Sequence, residues 1–189
     1  MSFFDTPTLA LARRHFLGRS GLVLSGPAVA LLAGNHTLAA AAGAADPKDV
    51  QILNTALGAE LEAIAAYQVG AQSNLLQKPA LDLALTFQGH HKEHAELLAK
   101  TVEKLGGKPA AAKAAYDFPV ASLKSQTDVL RFAAKLEQGA VSAYLGAVPL
   151  FANRDLSKAA ASILGDEAMH WAVLRQAIGE SPVPSAFVA

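Results

Sequence analysis

Cysteine is absent from all 189 residues. That excludes disulfides, thiolate metal sites, a Cys nucleophile and a lipidated N-terminal Cys. Charge is sparse: 17% of residues are charged, and the 16 basic and 16 acidic residues cancel. With no Lys/Arg cluster in the body of the chain, nucleic acid is not an expected partner. Alternation of apolar and polar residues, the mark of a half-buried strand, is missing. So are a Gly-rich phosphate loop, a Ser nucleophile elbow and a zinc-protease His-Glu-x-x-His. His90 and His94 stand four residues apart, but no Glu directly follows His90. What is abundant is apolar material, at 52%. It suffices for a sizeable core and argues against a disordered chain.

Residues 1–45 differ from the rest. Their only charges are Asp5, Arg13, Arg14 and Arg19. "ARRHFLGRSG" leads into the apolar run "LVLSGPAVALLAG" and then small residues. A basic region, a short apolar stretch and small residues describe a secretory signal. The run contains Gly and Pro and is short for a membrane span. Arg13 and Arg14, followed by x-Phe-Leu, resemble a twin-arginine export signal. The expectation is a periplasmic or otherwise exported protein, cleaved within residues 39–45, touching a membrane only through this signal. Twin-arginine export carries folded proteins, often with a cofactor already inserted, which favours a metal. Removing three Arg and one Asp leaves 13 basic and 15 acidic residues, a balance of −2. Steering by net charge then identifies no partner.

The remainder reads as helices over 46–180 and a tail over 181–189. Asp46-Pro47 provides an N-cap and first turn for a helix reaching about Leu75. Lys78-Pro79 starts a second, stopped by "LGGKP". Residues 107–125 hold Pro109 and Pro119 and read as a long crossover. Ser125, with Asp128 three residues on, opens a third helix ending near Phe151. Asp155 is placed to cap a fourth, which closes at Gly179. The fold class is therefore all-α: two antiparallel helical hairpins joined by a long crossover, the ferritin-like form of the four-helix bundle.

The two halves repeat. "ELEAIAAY" from Glu60 matches "EQGAVSAY" from Glu137, and "GHHKEHAELL" from Gly89 matches "GDEAMHWAVL" from Gly165. The offsets are 77 and 76 residues, nearly constant across two helices. Steps of three and four along each helix place Glu60, His91 with His94, Glu137, and Glu167 with His170 in the core-facing stripes. A buried ion costs several kcal/mol even after relaxation. Four helices carrying that cost at one level call for divalent cations inside. Carboxylates and imidazoles suit iron, manganese or zinc. Ligands separated by x-x lie one turn apart on one face and can reach one ion.

At these residues the chain resembles the ferritin-like superfamily, and more narrowly bacterial exported ferritin-like proteins of the desiccation-related type. The most specific stretch is Glu137-x6-Tyr144 followed by Asp166-Glu167-x-x-His170. The resemblance implies Glu60, His94, Glu137, Glu167 and His170 as metal ligands, with Asp166, Tyr67 and Tyr144 supporting them. It favours iron, as two ions or an iron/manganese pair, over zinc. One departure matters: where the second half has Asp166-Glu167, the first has His90-His91. With His91 as sixth ligand the set is three carboxylates and three imidazoles. Two divalent ions then leave one positive charge for a bridging hydroxide or other anion. An asymmetric pair, or one firm and one weak site, is the expectation. His90 lies about 100° around the helix from His91 and is expected beside the ligands or exposed. Glu62 and Glu93 point off the seam and are expected to be solvated.

Three functions are compatible with this reading. They are an oxidoreductase using oxygen or peroxide, a metal-binding or storage protein, and a metal-free bundle with a structural or stress-protection role. Without cysteine there is no built-in rubredoxin-type electron-transfer site of the rubrerythrin kind. A reductant would come from elsewhere. A homo-oligomer is compatible with the sequence.

Overall fold

The computed structural model describes residues 46–188. Arg13, Arg14, the cleavage region and the whole 1–45 segment lie outside the described residues. Four α-helices follow in order: α1 Pro47–Gln72, α2 Lys78–Lys104, α3 Gln126–Ala147 and α4 Arg154–Ala177. Among the described residues there is no strand, and no helix is long and apolar enough to cross a membrane.

The helix starts are set by short polar side chains. Lys48 N–H donates to Asp46 Oδ1 at 2.8 Å. Asp128 N–H donates to Ser125 Oγ, whose hydroxyl donates back to Asp128 Oδ2 at 2.8 Å. Three boundaries differ from expectation. The first helix stops at Gln72 rather than about Leu75, where Asn74 takes the left-handed conformation at φ 59°. The α-helical part of α3 stops at Ala147, and Val148–Leu150 forms a 3₁₀ turn. Pro149 lacks the N–H that would continue the ladder. The cap of α4 is Asn153, which accepts from Asp155 N–H at 2.8 Å, so Asp155 sits in the first turn instead. After α2, Gly106 at φ 80° makes the left-handed turn that closes the helix.

Short turns pack α1 on α2 and α3 on α4. Two apolar clusters fill the interior, one toward each end. Leu53, Leu57, Leu98, Val102, Phe151 and Ile163 build one, while Phe87, Leu130, Trp171 and Leu174 are in the other. Glu60, His91, Glu137, Glu167 and His170 lie between them in the helical sequence, so apolar layers close this polar level from both ends. The crossover is tied at its start, where Asn54 on α1 donates to Lys108 O and accepts from Ala110 N–H. Near its end Tyr116 and Phe118 stack, and Phe118 meets Phe132 of α3 edge-on.

Asp49 carries a tie that the sequence reading passed over. It is 2% exposed and accepts from Ala152 N–H and Asn153 N–H at 2.8 and 3.0 Å. It thus anchors the start of α4 to the first turn of α1. Hydrogen bonds to a charged group contribute about 1.5–3 kcal/mol each. Asp49→Ala should therefore lower stability by about 3 kcal/mol in denaturant unfolding. A loss under about 1 kcal/mol would mean that water replaces the carboxylate.

Candidate metal centre

Each helix contributes to one buried level: Glu60 from α1, His91 and His94 from α2, Glu137 from α3, Glu167 and His170 from α4. Glu60, His91, Glu137, Glu167 and His170 are each no more than 2% exposed. The His94 side chain is 14% exposed. The four neighbours Glu60, His91, His94 and Glu167 bring donor atoms within 4.8 Å of one another, and so do His91, Glu137, Glu167 and His170. His91 and Glu167 are common to both sets.

The two shared residues behave differently. The His91 ring spans two carboxylates, with Nδ1 2.8 Å from Glu60 Oε2 and Nε2 3.2 Å from Glu137 Oε1. Glu167 directs Oε1 toward His94 Nδ1 at 3.1 Å and Oε2 toward His170 Nδ1 at 3.8 Å. Neither contact is aligned as a hydrogen bond. Both Glu167 oxygens, Glu137 Oε2, His94 Nδ1 and His170 Nδ1 find no hydrogen-bond partner among the described residues. Buried polar atoms left unpaired cost about 1–3 kcal/mol each, more when charged. Five of them at one level, the two imidazole nitrogens once they lose their protons, can donate lone pairs to a metal and fit a site for divalent cations.

Two tyrosines close the arrangement reciprocally. Tyr67 of α1 donates to Glu137 of α3, and Tyr144 of α3 donates to Glu60 of α1. Each half of the repeat thereby orients the carboxylate of the other. Burial, and then the negative charge of Glu137 or Glu60, pushes both tyrosine pKa values up, so both remain donors. Phe87 stacks on the His170 ring with centroids 4.0 Å apart.

The charges are mutually arranged. Burial presses His91 toward its neutral form, but Glu137 and Glu60 outweigh it and hold its pKa up at about 10. His94 is held up at about 9 against burial by Glu167 and Glu60. His170 is likewise at about 9, against burial, through Glu137 and Glu167. Burial opposes ionisation of Glu60 and Glu137, yet the facing imidazoles win and lower both carboxyls. Without metal, the carboxylates of Glu60 and Glu137 therefore face three imidazolium rings.

Asp166 and His90 stand on the α2–α4 side. Asp166 Oδ2 lies 3.1 Å from His90 Nδ1, 3.3 Å from His170 Nε2 and 3.4 Å from His94 Nε2. One carboxylate thus serves both outer nitrogens of the buried histidines, because His90 occupies the position where the repeat would supply a second acid. Glu93 is exposed as expected. Glu62 is not simply solvated: it is half-buried on the wall of a groove. That groove, of about 820 Å³, runs between α1 and α3 and reaches Glu60, His91, Glu137 and Tyr144. Small residues line it, Ala56, Ala59 and Ala63 on α1 and Gly139, Ala140 and Ala143 on α3. The sequence signal for it was weak, since small residues at helical spacing read equally well as close packing.

This four-helix arrangement has known relatives. The ferritin-like domain model matches residues 48–180. The chain belongs to the ferritin-like domain family. Among solved structures, a conserved hypothetical protein from Mycobacterium tuberculosis is similar at a TM-score of 0.65 and 22% identity, covering 74% of this chain and 96% of that one. A structure from Bacillus anthracis, described as ferritin-like, diiron-carboxylate proteins, is similar at a TM-score of 0.60 and 20% identity. It covers 69% of this chain and 94% of its own. At these identities the likeness concerns the fold. No curated protein matches the sequence.

Proposed function

We propose that this ferritin-like chain is an exported protein of the desiccation-related type. Its buried cluster holds two divalent ions, iron or an iron/manganese pair, and uses them in redox chemistry with oxygen or peroxide. The observation that carries the metal is the set of unpaired buried atoms on Glu137, Glu167, His94 and His170. Glu60, His94 and Glu167 would hold one ion and Glu137, Glu167 and His170 the other, with His91 in reach of both sets. His91 makes the pair asymmetric, because a neutral imidazole has one lone pair where a carboxylate would bridge. The Bacillus anthracis diiron-carboxylate description supports iron by analogy.

When bound in reduced form, such a pair supplies two electrons to an oxidant. The protein's own part is to place and shield. Tyr67 and Tyr144 hold the carboxylates of Glu137 and Glu60 in orientation. The apolar clusters above and below shield the polar level, and the α1–α3 groove gives a small oxidant a lateral path. Electrons come from an external reductant. Export rests on Arg13 and Arg14, contact with a membrane is confined to that segment, nucleic acid is no partner, and self-association is compatible with the role.

Metal-loaded protein with a reductant should consume hydrogen peroxide. Glu167→Ala should lower the rate at least about 100-fold, the upper end of what loss of even an outer metal partner costs. Equal turnover in the variant would contradict the redox reading and leave metal handling.

A second reading has its own observation. His91 already joins Glu60 and Glu137, and His94 and His170 are held protonated beside it, so the rings offset the carboxylates without metal, as a structural or stress-protective bundle requires. Stability unchanged by chelation would favour it, because a bound metal adds to the stability of the folded state.

A further inference from the structure

We infer that His90, Asp166 and the outer nitrogen of His170 form a third, outer site for a divalent transition-metal ion on the α2–α4 side, from which ions pass to the buried cluster. The hand-over rests on the dinuclear reading above; the outer site itself does not.

The geometry is a triangle of donor atoms. His90 Nδ1 is 2.9 Å from His170 Nε2 and 3.1 Å from Asp166 Oδ2, and His170 Nε2 is 3.3 Å from Asp166 Oδ2. Metal–ligand distances of ~2.0–2.1 Å put donors ~3.3 Å apart at tetrahedral angles and ~2.9 Å apart at right angles. The three edges span that interval. Two imidazoles and one carboxylate are a donor set for iron(II), manganese(II), cobalt(II) or zinc.

Hydrogens cannot satisfy this triangle. Each ring nitrogen carries at most one hydrogen, and the carboxylate carries none. If both rings donate to Asp166, the 2.9 Å nitrogen–nitrogen edge sets two N–H groups against each other. If His170 donates to His90, the His90–Asp166 edge sets two lone pairs against each other. One edge is always unfavourable, whereas a single cation satisfies all three atoms.

The position suits an arriving ion. The His90 side chain is 41% exposed and Asp166 22%, while His170 is 2%, so exposure falls along the site toward the centre. His170 faces the outer triangle with Nε2 and directs Nδ1 toward Glu137 Oε1, 3.6 Å away. One ring thus reaches both sites through different atoms; neutral, it holds one ion at a time, and holding both at once takes loss of its second ring proton to solvent as the imidazolate. The α1–α3 groove reaches the cluster past Glu60 and Glu137 and has neither His90 nor Asp166 on its walls. Ions and oxidant accordingly have separate approaches.

The test is cobalt(II) titration of metal-free full-length protein, followed by visible absorption, together with stopped-flow loading. Wild type should bind one weak equivalent more than His90→Ala, and His90→Ala should load the inner equivalents about tenfold more slowly. Glu137→Gln should keep the weak equivalent while losing inner capacity. Asp166→Asn supplies a second outer variant of nearly unchanged shape and should also lose the weak equivalent. Equal cobalt stoichiometry and equal loading rates in wild type, His90→Ala and Asp166→Asn would overturn the outer site. Loss of the weak equivalent in both outer variants, with no inner capacity in any protein, would uphold the outer site and refute the dinuclear reading.

Discussion

His91→Glu should turn a bundle that folds without metal into one that depends on it. In the metal-free protein the buried His91 ring lies between Glu60 and Glu137. The substitution removes that cation and adds a fourth carboxylate to the cluster. Breaking a buried ion pair by removing one partner costs about 3–5 kcal/mol. The chelated variant should therefore melt roughly 10 °C below chelated wild type. In excess manganese(II) or iron(II) the gap should narrow, since each tenfold in affinity adds about 1.4 kcal/mol. Four carboxylates then balance two divalent ions, and affinity for the weaker ion should rise on the order of tenfold or more. Thermal melts with and without chelator, beside a metal titration, measure both halves. Equal melting of the chelated proteins with unchanged stoichiometry and affinity would show that His91 does not govern the charge balance.

Metal loading at pH 7.5 should release about three protons per chain, one each from His91, His94 and His170, since each must become neutral to ligate. Their pKa values of about 10, 9 and 9 keep them protonated beforehand. The same shifts fix how the metal-free protein responds to pH. A histidine raised in the folded state contributes stability that is complete below its unfolded pKa of about 6.5 and is lost as pH rises through 9–10. The lowered Glu60 and Glu137 contribute stability present above their unfolded pKa of about 4.5 and lost at lower pH. Metal-free protein should thus be most stable between about pH 4.5 and 6.5 and weaken toward pH 10. Metal-loaded protein should gain from rising pH, as protons cease to compete. Proton release in weakly buffered solution and melts from pH 4 to 10 read this directly. A melting temperature independent of pH above 6.5, or loading without proton release, would contradict it.

Much of this was legible because an α-helix repeats every three to four residues. Steps of three and four from Leu53 and Leu57 arrive at Glu60, and from Leu130 and Ala134 at Glu137. Those four apolar residues and both carboxylates are buried. The repeat offset of 76–77 residues pointed to equivalent positions in two hairpins, which is how the buried level was found. Other features depend on partners that a one-dimensional pattern does not pair. Tyr67 and Tyr144 stand in the motif, but their crossing to Glu137 and Glu60 requires the two halves to face each other. Asp49 looks like an ordinary acid in a first helical turn, and its partners lie over 100 residues away. The groove was hidden because small residues on α1 and α3 suit close helix contact, whereas these faces leave about 820 Å³ between them. In the sequence His90 reads as either beside the ligands or exposed. Its place in a donor triangle follows from α4 bringing Asp166 and His170 against it.

The central claim is that the six-residue cluster holds two divalent ions. The most direct test is metal content per chain, by elemental analysis, on protein purified from its own type of host. Wild type should carry near two equivalents of iron or manganese, falling sharply in Glu137→Ala and Glu167→Ala. No metal in wild type, with the helical fold intact and stability unchanged by chelator, would contradict it and leave a bundle whose carboxylates are balanced by histidines alone.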